Sequence, residues 1–385
     1  TLPGEAVNGI LDGSQLSDVR IETPADIRVQ PPCRHYKSCG GCQLQHASDD
    51  FVARWKEDVV RRALSAQGLE AEIRPIHTSP AFSRRRATLA VRRTKKGTMA
   101  GFHGRASDVI TQIPDCHLLD PALIAAIPMA EDLALIGASR KAALAVTVTL
   151  SEAGLDVLAI NGKPLDGPLR IALSQAAEKH KLARLTWEDE PLAMEQPPLQ
   201  AFGAAHVCPP PGAFLQATKD GETALLAAVK EAVQGAKRIV DLFAGCGTFS
   251  LPLAEQAEVL AVEGEKEMIA ALDAGWRRAQ GLKKVTAMAR DLFRNPLTPE
   301  DLNPFGAHFD AAVIDPPRAG AEAQVAQLAK AKTPVIAYVS CNPVTFARDA
   351  KILTDAGYRL NWVQPVDQFR WSAHIELAAS FTLDS

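Results

Sequence analysis

The stretch Ile239-Val240-Asp241-Leu242-Phe243-Ala244-Gly245-Cys246-Gly247-Thr248-Phe249-Ser250-Leu251-Pro252-Leu253 decides the fold: an apolar run meets an acid, then two glycines, and turns apolar again. That order predicts a buried strand, a tight turn and the start of a helix. Gly245 and Gly247 permit a sharp turn and the close approach of a ligand, and a new helix offers unpaired N–H groups in its first turn. Glycine turns of this kind serve several nucleotide classes, so the spacing has to separate them. The dinucleotide pattern needs a third small residue at position 250, where Ser250 substitutes poorly for glycine, and the Gly-Lys-Ser/Thr run of phosphate loops is absent. A second apolar strand, residues 259–262, ends at Glu263, whose carboxylate suits the two hydroxyls of a ribose. Together these features favour S-adenosylmethionine, whose adenosine has a ribose and no phosphate. A purely structural strand-turn-helix is the plain alternative.

Working outward, residues 239–242, 259–262, 285–289, 309–314, 335–339, 358–366 and 374–383 read as seven strands with helices between most of them. Such alternation implies a mainly parallel sheet covered on both faces, with ligands outside the carboxyl ends of the strands. Those ends carry Glu263, Asp291, Asp315-Pro316-Pro317-Arg318 and Ser340-Cys341-Asn342-Pro343. Two prolines stiffen the loop that aims Asp315; a helix cap is the plain alternative for that acid. Cys341 falls between a strand and a helix, where a helix N-terminus favours thiolate; a small buried core residue is the alternative.

The first half of the chain differs in character. Residues 1–28 are polar, with one short strand at 18–22, and are too few for a domain. Cys33, Cys39 and Cys42 follow in C-x5-C-x2-C spacing, and Cys116 is the best placed fourth ligand. Structural zinc and an iron–sulfur cluster both satisfy this spacing, and a disulfide framework does not suit a chain that looks cytosolic. A helix is predicted over 51–66 with Trp55, Val59 and Ala63 on one face, then hairpins at 87–93/99–103 and 144–150/155–160 and a strand at 109–113. A helix over 122–135, capped by Asp120, another over 169–180 and a strand at 183–187 complete an α+β region. The proline-rich segment 191–211 reads as a boundary, followed by a helix at 221–233. Between Arg74 and Arg105 stand nine Lys or Arg and no Asp or Glu, a distribution that suits a phosphate backbone.

Composition bounds the rest. With 385 residues, 47% of them hydrophobic, the chain can form two or three domains. No apolar run reaches membrane-spanning length and Thr1-Leu2-Pro3-Gly4 lacks a leader pattern, so a cytoplasmic monomer with no membrane association is the expectation. The net charge of -3 decides nothing about nucleic acid.

At these residues the chain strongly resembles the RNA 5-methyluridine methyltransferases. The resemblance runs from Pro31 to the C-terminus through the cysteine cluster, Phe214-Leu215-Gln216, the Asp241–Gly247 run, Val262-Glu263, Asp315-Pro316-Pro317-Arg318, Ser340-Cys341-Asn342-Pro343 and His374-Ile375-Glu376. It implies a seven-stranded Rossmann-like class I methyltransferase domain over 206–385 and an α+β central domain over 31–205 that binds RNA and carries an iron–sulfur cluster. Residues 1–30 are then the remnant of a TRAM-like barrel. Gln216, Phe243, Thr248, Glu263, Asp291 and Asp315 would line the cofactor site, with Cys341 as nucleophile and Glu376 as base. Cys33, Cys39, Cys42 and Cys116 would hold a 4Fe–4S cluster. The implied activity is methylation of carbon 5 of a uridine in RNA through a covalent adduct, with 23S rRNA as the favoured substrate and tRNA as the other. A noncatalytic RNA-binding protein is the alternative of a different class, and it has no need of Cys341, Glu376 and Asp315 together. The chain departs from the family pattern at Thr248, where Asn is usual, and at Phe369-Arg370-Trp371-Ser372, where the family tends to have a Phe-Pro and a threonine.

Overall fold

The seven strands read from the second half of the chain pair into one sheet in the computed structural model, which describes residues 1–13, 15–303 and 308–384. They are Arg238–Leu242, Glu258–Glu263, Val285–Ala289, Ala311–Ile314, Val335–Ser340, Tyr358–Asp367 and Glu376–Leu383. Numbered along the chain, they stand in the spatial order third, second, first, fourth, fifth, seventh, sixth. The first five are parallel, and the seventh runs antiparallel between the fifth and the sixth. Near-continuous apolar strands such as Ala311–Ile314, buried at every residue, follow from covering both faces. Leu225 and Val229 of helix Lys219–Ala232 and Leu272 of helix Lys266–Arg278 pack with Ile239 and Val259 on one side. Val325 and Leu328 of helix Glu322–Ala331 and Phe346 of helix Pro343–Asp355 pack with Val240 and Leu242 on the other.

The sheet also takes strands from the N-terminal half. Glu72–Ile73 and His77–Thr78 both pair parallel to the sixth strand, and helix Asp49–Ser65 packs Val60 and Leu64 into the core shared with Leu360 and Val363. Sheet membership therefore does not follow the boundary expected between 205 and 206. The buried face of that helix is Val52, Lys56, Val60 and Leu64 rather than Trp55, Val59 and Ala63. A lysine in the middle of the stripe hides it from a hydrophobic count.

A second sheet of seven strands lies in the central region, in the order Glu190–Met194, Arg184–Trp187, Gly154–Ile160, Leu144–Ser151, Arg86–Arg93, Thr98–His103, Ile110–Thr111. Helices Ile127–Gly137 and Gly167–Lys179 contribute Leu133 and Leu173 to the core with Leu89 and Val146. The single helix predicted over 122–135 is two, Pro121–Ala125 and Ile127–Gly137, broken just before Pro128 because proline has no N–H for the helical ladder. The proline-rich boundary holds three short strands, Glu190–Met194, Gln200–Phe202 and Ala205–Val207. Near the N-terminus, Ala6–Asp12 and Gln15–Thr23 form an antiparallel hairpin where one short strand was expected. Among the described residues no helix is long and apolar enough to cross a membrane.

Candidate active site

The glycine turn sits at the carboxyl end of the first strand. Phe243, Gly245 and Gly247 all have positive φ, 62°, 55° and 96°, so the chain folds sharply away from the sheet. A Cβ at Gly245 would meet no atom, whereas one at Gly247 would lie 2.8 Å from Leu251 Cδ1. Gly245 therefore faces open space and Gly247 faces packed core. The helix that follows is a single turn, Ser250–Leu253. Thr248 stands half-buried in the turn.

Acids converge on this turn. Glu263, at the end of the second strand, accepts the Gly245 N–H and the Glu265 N–H on separate oxygens, each at 2.9 Å, and so fixes the turn against its neighbour strand. Asp241 is fully buried, takes the Ser250 hydroxyl at 2.5 Å on one oxygen and leaves the other without a partner. Burial pushes its carboxyl up to about 7. Asp315 is likewise pushed up to about 7, first by burial and then by the charges of Asp241 and Glu263. A site that crowds three carboxyl groups in this way favours a cationic ligand. Further out, the Phe243 ring lies 5.3 Å from that of Phe293, and Asp291 accepts the Phe293 N–H at 3.0 Å. Phe293 carries no sequence signal beyond standing two residues after Asp291. Gln216 is buried, and its Oε1 accepts Gln368 Nε2 at 2.6 Å, which leaves the Gln216 amide N–H2 free to donate.

Cys341 and Glu376 are brought together by strand register. Ser340, the last residue of the fifth strand, lies opposite Leu377 of the seventh, so the next residue of one strand faces the previous residue of the other. Glu376 is buried, and burial followed by the charge of Asp315 pushes its carboxyl up to about 8 while Arg318 opposes the shift. The Cys341 thiol is not lowered as expected from its position before a helix. Burial, then Glu376 and Asp315, push it up to about 11, against which Arg318 is the opposing charge. Asn342 caps helix Pro343–Asp355 by accepting the Val344 N–H at 3.1 Å, and its Nδ2 donates to the Arg318 carbonyl at 3.0 Å. Arg318 Nη2 in turn lies 2.8 Å from His374 Nδ1. Arg318, His374, Gln368 and Asp241 belong to motifs or loops visible in the sequence, but nothing in the sequence alone gives any of them a role.

Cys33, Cys39, Cys42 and Cys116 line one pocket with His35, Tyr36, Phe102 and Leu118. The cysteine loop abuts the basic hairpin: Gly40 N–H donates to the His103 carbonyl at 2.9 Å and Arg105 Nη2 to the Cys42 carbonyl at 2.8 Å. Among the described residues no three His, Cys, Asp or Glu side chains converge as they would on a single ion. The nine cations of the basic run, unopposed in sequence, are partly opposed in space. Arg74 pairs with Glu231 at 2.7 Å, Arg85 forms a buried pair with Glu222 at 2.5 Å, and Arg84 and Arg86 lose solvent to the interior. The hairpin tip, Arg92, Arg93, Lys95 and Lys96, keeps access to water.

A family model described as tRNA (Uracil-5-)-methyltransferase matches residues 209–382. An uncharacterized RNA methyltransferase of Brucella suis is 42% identical over 99% of this chain and 91% of that protein. A 23S rRNA (uracil(1939)-C(5))-methyltransferase of Shewanella piezotolerans is 32% identical over 99% of this chain and 89% of that protein. Among solved structures, a tRNA (uracil-54, C5)-methyltransferase of Pyrococcus abyssi with S-adenosyl-L-homocysteine has a TM-score of 0.72 at 23% identity, covering 99% of this chain and 94% of that one. That likeness shows the class I methyltransferase fold. With relatives of such identity aligned along nearly its whole length, the chain belongs to the RNA uracil-5-methyltransferase family.

Proposed function

We propose that this chain transfers the methyl group of S-adenosylmethionine to carbon 5 of a uridine in 23S rRNA, with Cys341 as nucleophile and Glu376 as base. The observation that carries this reading is the register that sets Cys341 against Glu376 at the strand ends, beside Asp315 and the glycine turn. The rRNA substrate rests on the Shewanella relative; a tRNA substrate is the second reading, favoured by the description of the matching family model.

Gln216, Phe243, Thr248, Glu263, Asp291 and Asp315 would hold S-adenosylmethionine, whose sulfonium supplies an electrophilic methyl group. Carbon 5 of uracil is a weak nucleophile until Cys341 Sγ bonds to carbon 6 and pushes the ring electrons onto the carbonyl oxygen at carbon 4. The thiol proton must leave as that bond forms, and Asp315, ionising near 7, is an acceptor within the same cluster. Carbon 5 then takes the methyl group as its bond to sulfur breaks, and neutral S-adenosylhomocysteine is the leaving group. Glu376 removes the proton left on carbon 5, the carbon 5–carbon 6 double bond re-forms, and the sulfur–carbon 6 bond breaks to release Cys341. The target base has to leave its stack to reach these buried groups. Cys33, Cys39, Cys42 and Cys116 fit a 4Fe–4S cluster in that four thiols share one pocket, where the cluster would tie the cysteine loop to the segment after the basic hairpin. No step of the reaction runs through it.

Tritiated cofactor presented with 23S rRNA and with tRNA separates the two substrates. Glu376→Gln should accumulate a methylated protein–RNA adduct that survives denaturing electrophoresis and vanishes when Cys341→Ala is added. Near-normal turnover by Cys341→Ala alone overturns the covalent mechanism.

A further inference from the structure

A buried lysine stands apart from this machinery. Lys56 has no solvent exposure, stands in the apolar stripe of helix Asp49–Ser65, and reaches across the fold to Asp367, Nζ to Oδ1 at 2.7 Å. The same ammonium donates to the Phe369 carbonyl at 3.4 Å, and Asp367 Oδ1 also accepts the Phe369 N–H at 2.9 Å. Buried ion pairs are weak contributors to stability, and apolar replacements of both partners are often neutral or stabilising. What such a pair does supply is a fixed position.

The position it fixes is the start of the turn that ends at Glu376. Val366 pairs with Glu376 across the sixth and seventh strands, so Asp367, the last residue of the sixth strand, leads directly into the loop between them. Gln368 orients the Gln216 amide, and the Phe369 ring stands 5.7 Å from that of His374, edge to face. Burial, and then the charges of Arg318, Lys56 and Arg84, lower the His374 imidazole below its ordinary range, which favours the neutral ring that can accept from Arg318 at Nδ1. The far side of the turn is tied to the same helix, because Asp49 accepts from Arg370 at 2.5 Å and from Trp371 Nε1 at 3.1 Å. We propose that Lys56 and Asp367 are positioning residues, holding the 367–375 turn so that Glu376 meets the carbon 5 proton. This rests on the reading of Glu376 as the base.

The test is Lys56→Met combined with Asp367→Asn, which removes both charges and keeps an acceptor for the Phe369 N–H. An ion pair that only stabilises would show its loss in the melting temperature and leave turnover of the folded protein unchanged. The expected result is an unchanged or raised melting temperature and cofactor and RNA affinities within about twofold. With these, kcat should fall by roughly tenfold or more and methylated adduct should accumulate. Normal kcat without adduct overturns the proposal. Should the double variant fail to fold, Asp49→Ala decides: it frees the far side of the turn from an exposed position, and it should also lower kcat with adduct present and KM little changed. Normal turnover in Asp49→Ala then overturns the proposal. Glu376→Gln is run alongside: no adduct there refutes Glu376 as the base, whereas adduct there and none in the Lys56 or Asp49 variants refutes only the positioning role.

Discussion

Glu263 is a carboxylate that serves the fold and, in the proposed reading, the ligand as well. Both of its oxygens already accept backbone N–H groups, so its orientation is set before any ribose arrives. Glu263→Ala should weaken cofactor binding by about ten- to a hundredfold, equivalent to about 1.5–3 kcal/mol, and calorimetry reads this directly. An unchanged dissociation constant would confine Glu263 to holding the turn. Asp241 and Asp315 predict a pH effect whose sign is fixed by their raised carboxyls. Between their ordinary range and about 7 the folded chain keeps protons that the unfolded chain has released, so their contribution to stability falls as pH rises through that window. A cationic ligand favours the ionised forms. Cofactor binding at about pH 6 should therefore release protons, and affinity should rise with pH until about 7. Equal heats in buffers of different ionisation enthalpy would contradict this. The carboxylates at strand ends were legible in the sequence because each follows an apolar run. The state of Cys341 was not, because the helix N-terminus is visible locally and the opposing Glu376 and Asp315 are contributed by distant segments.

Helix Pro343–Asp355 is the element on which the proposed nucleophile depends. Its cap, Asn342, holds the helix start with its carbonyl and the Asp315–Arg318 loop with its amide nitrogen, so one side chain sets the spacing between two motifs. Asn342→Ala should cost about 1 kcal/mol in stability from the lost cap. Turnover should fall by more than the unfolded fraction explains, measured on protein shown to be folded by circular dichroism. A loss of activity that tracks stability alone would make the cap purely structural. Elements with strong periodicity, such as the seven strands and the hairpin Arg86–Arg93 with Thr98–His103, were readable to within a residue or two. Two readings that went astray among the helices were decided by single residues: Pro128 splits one helix, and Lys56 disguises the buried face of another.

Across the whole molecule, charge that looks continuous in sequence is divided between interior and surface. Replacing Arg92, Arg93, Lys95 and Lys96 with alanine should leave the melting temperature nearly unchanged and flatten the salt dependence of RNA binding. Every phosphate that the variant no longer neutralises takes about 0.7 from the log–log slope for a single strand. Arg85→Ala should instead destabilise the fold, by about 3 kcal/mol or less, because buried Glu222 would lose its guanidinium partner and keep only the Lys219 ammonium 2.6 Å away. A hairpin variant with an unchanged slope would remove the tip from the RNA interface. The sequence could show where cations are dense and could not show that Glu222 and Glu231, far along the chain, claim two of them.

The partnership of helix Asp49–Ser65 and the Glu72–Ile73 and His77–Thr78 strands with the sixth strand has a consequence for biosynthesis. During translation Lys56 leaves the ribosome 313 residues ahead of Phe369, so its helix waits through the synthesis of almost the entire remaining chain before its binding surface exists. Pairings of such long range form late, and the waiting segment is exposed to wrong partners meanwhile. A fragment of residues 206–385 should be insoluble when expressed alone, since its sixth strand is left as an open edge. Supplying residues 31–205 as a separate chain should rescue it, and a soluble, cofactor-binding fragment without that help would show that the early segment is dispensable for assembly.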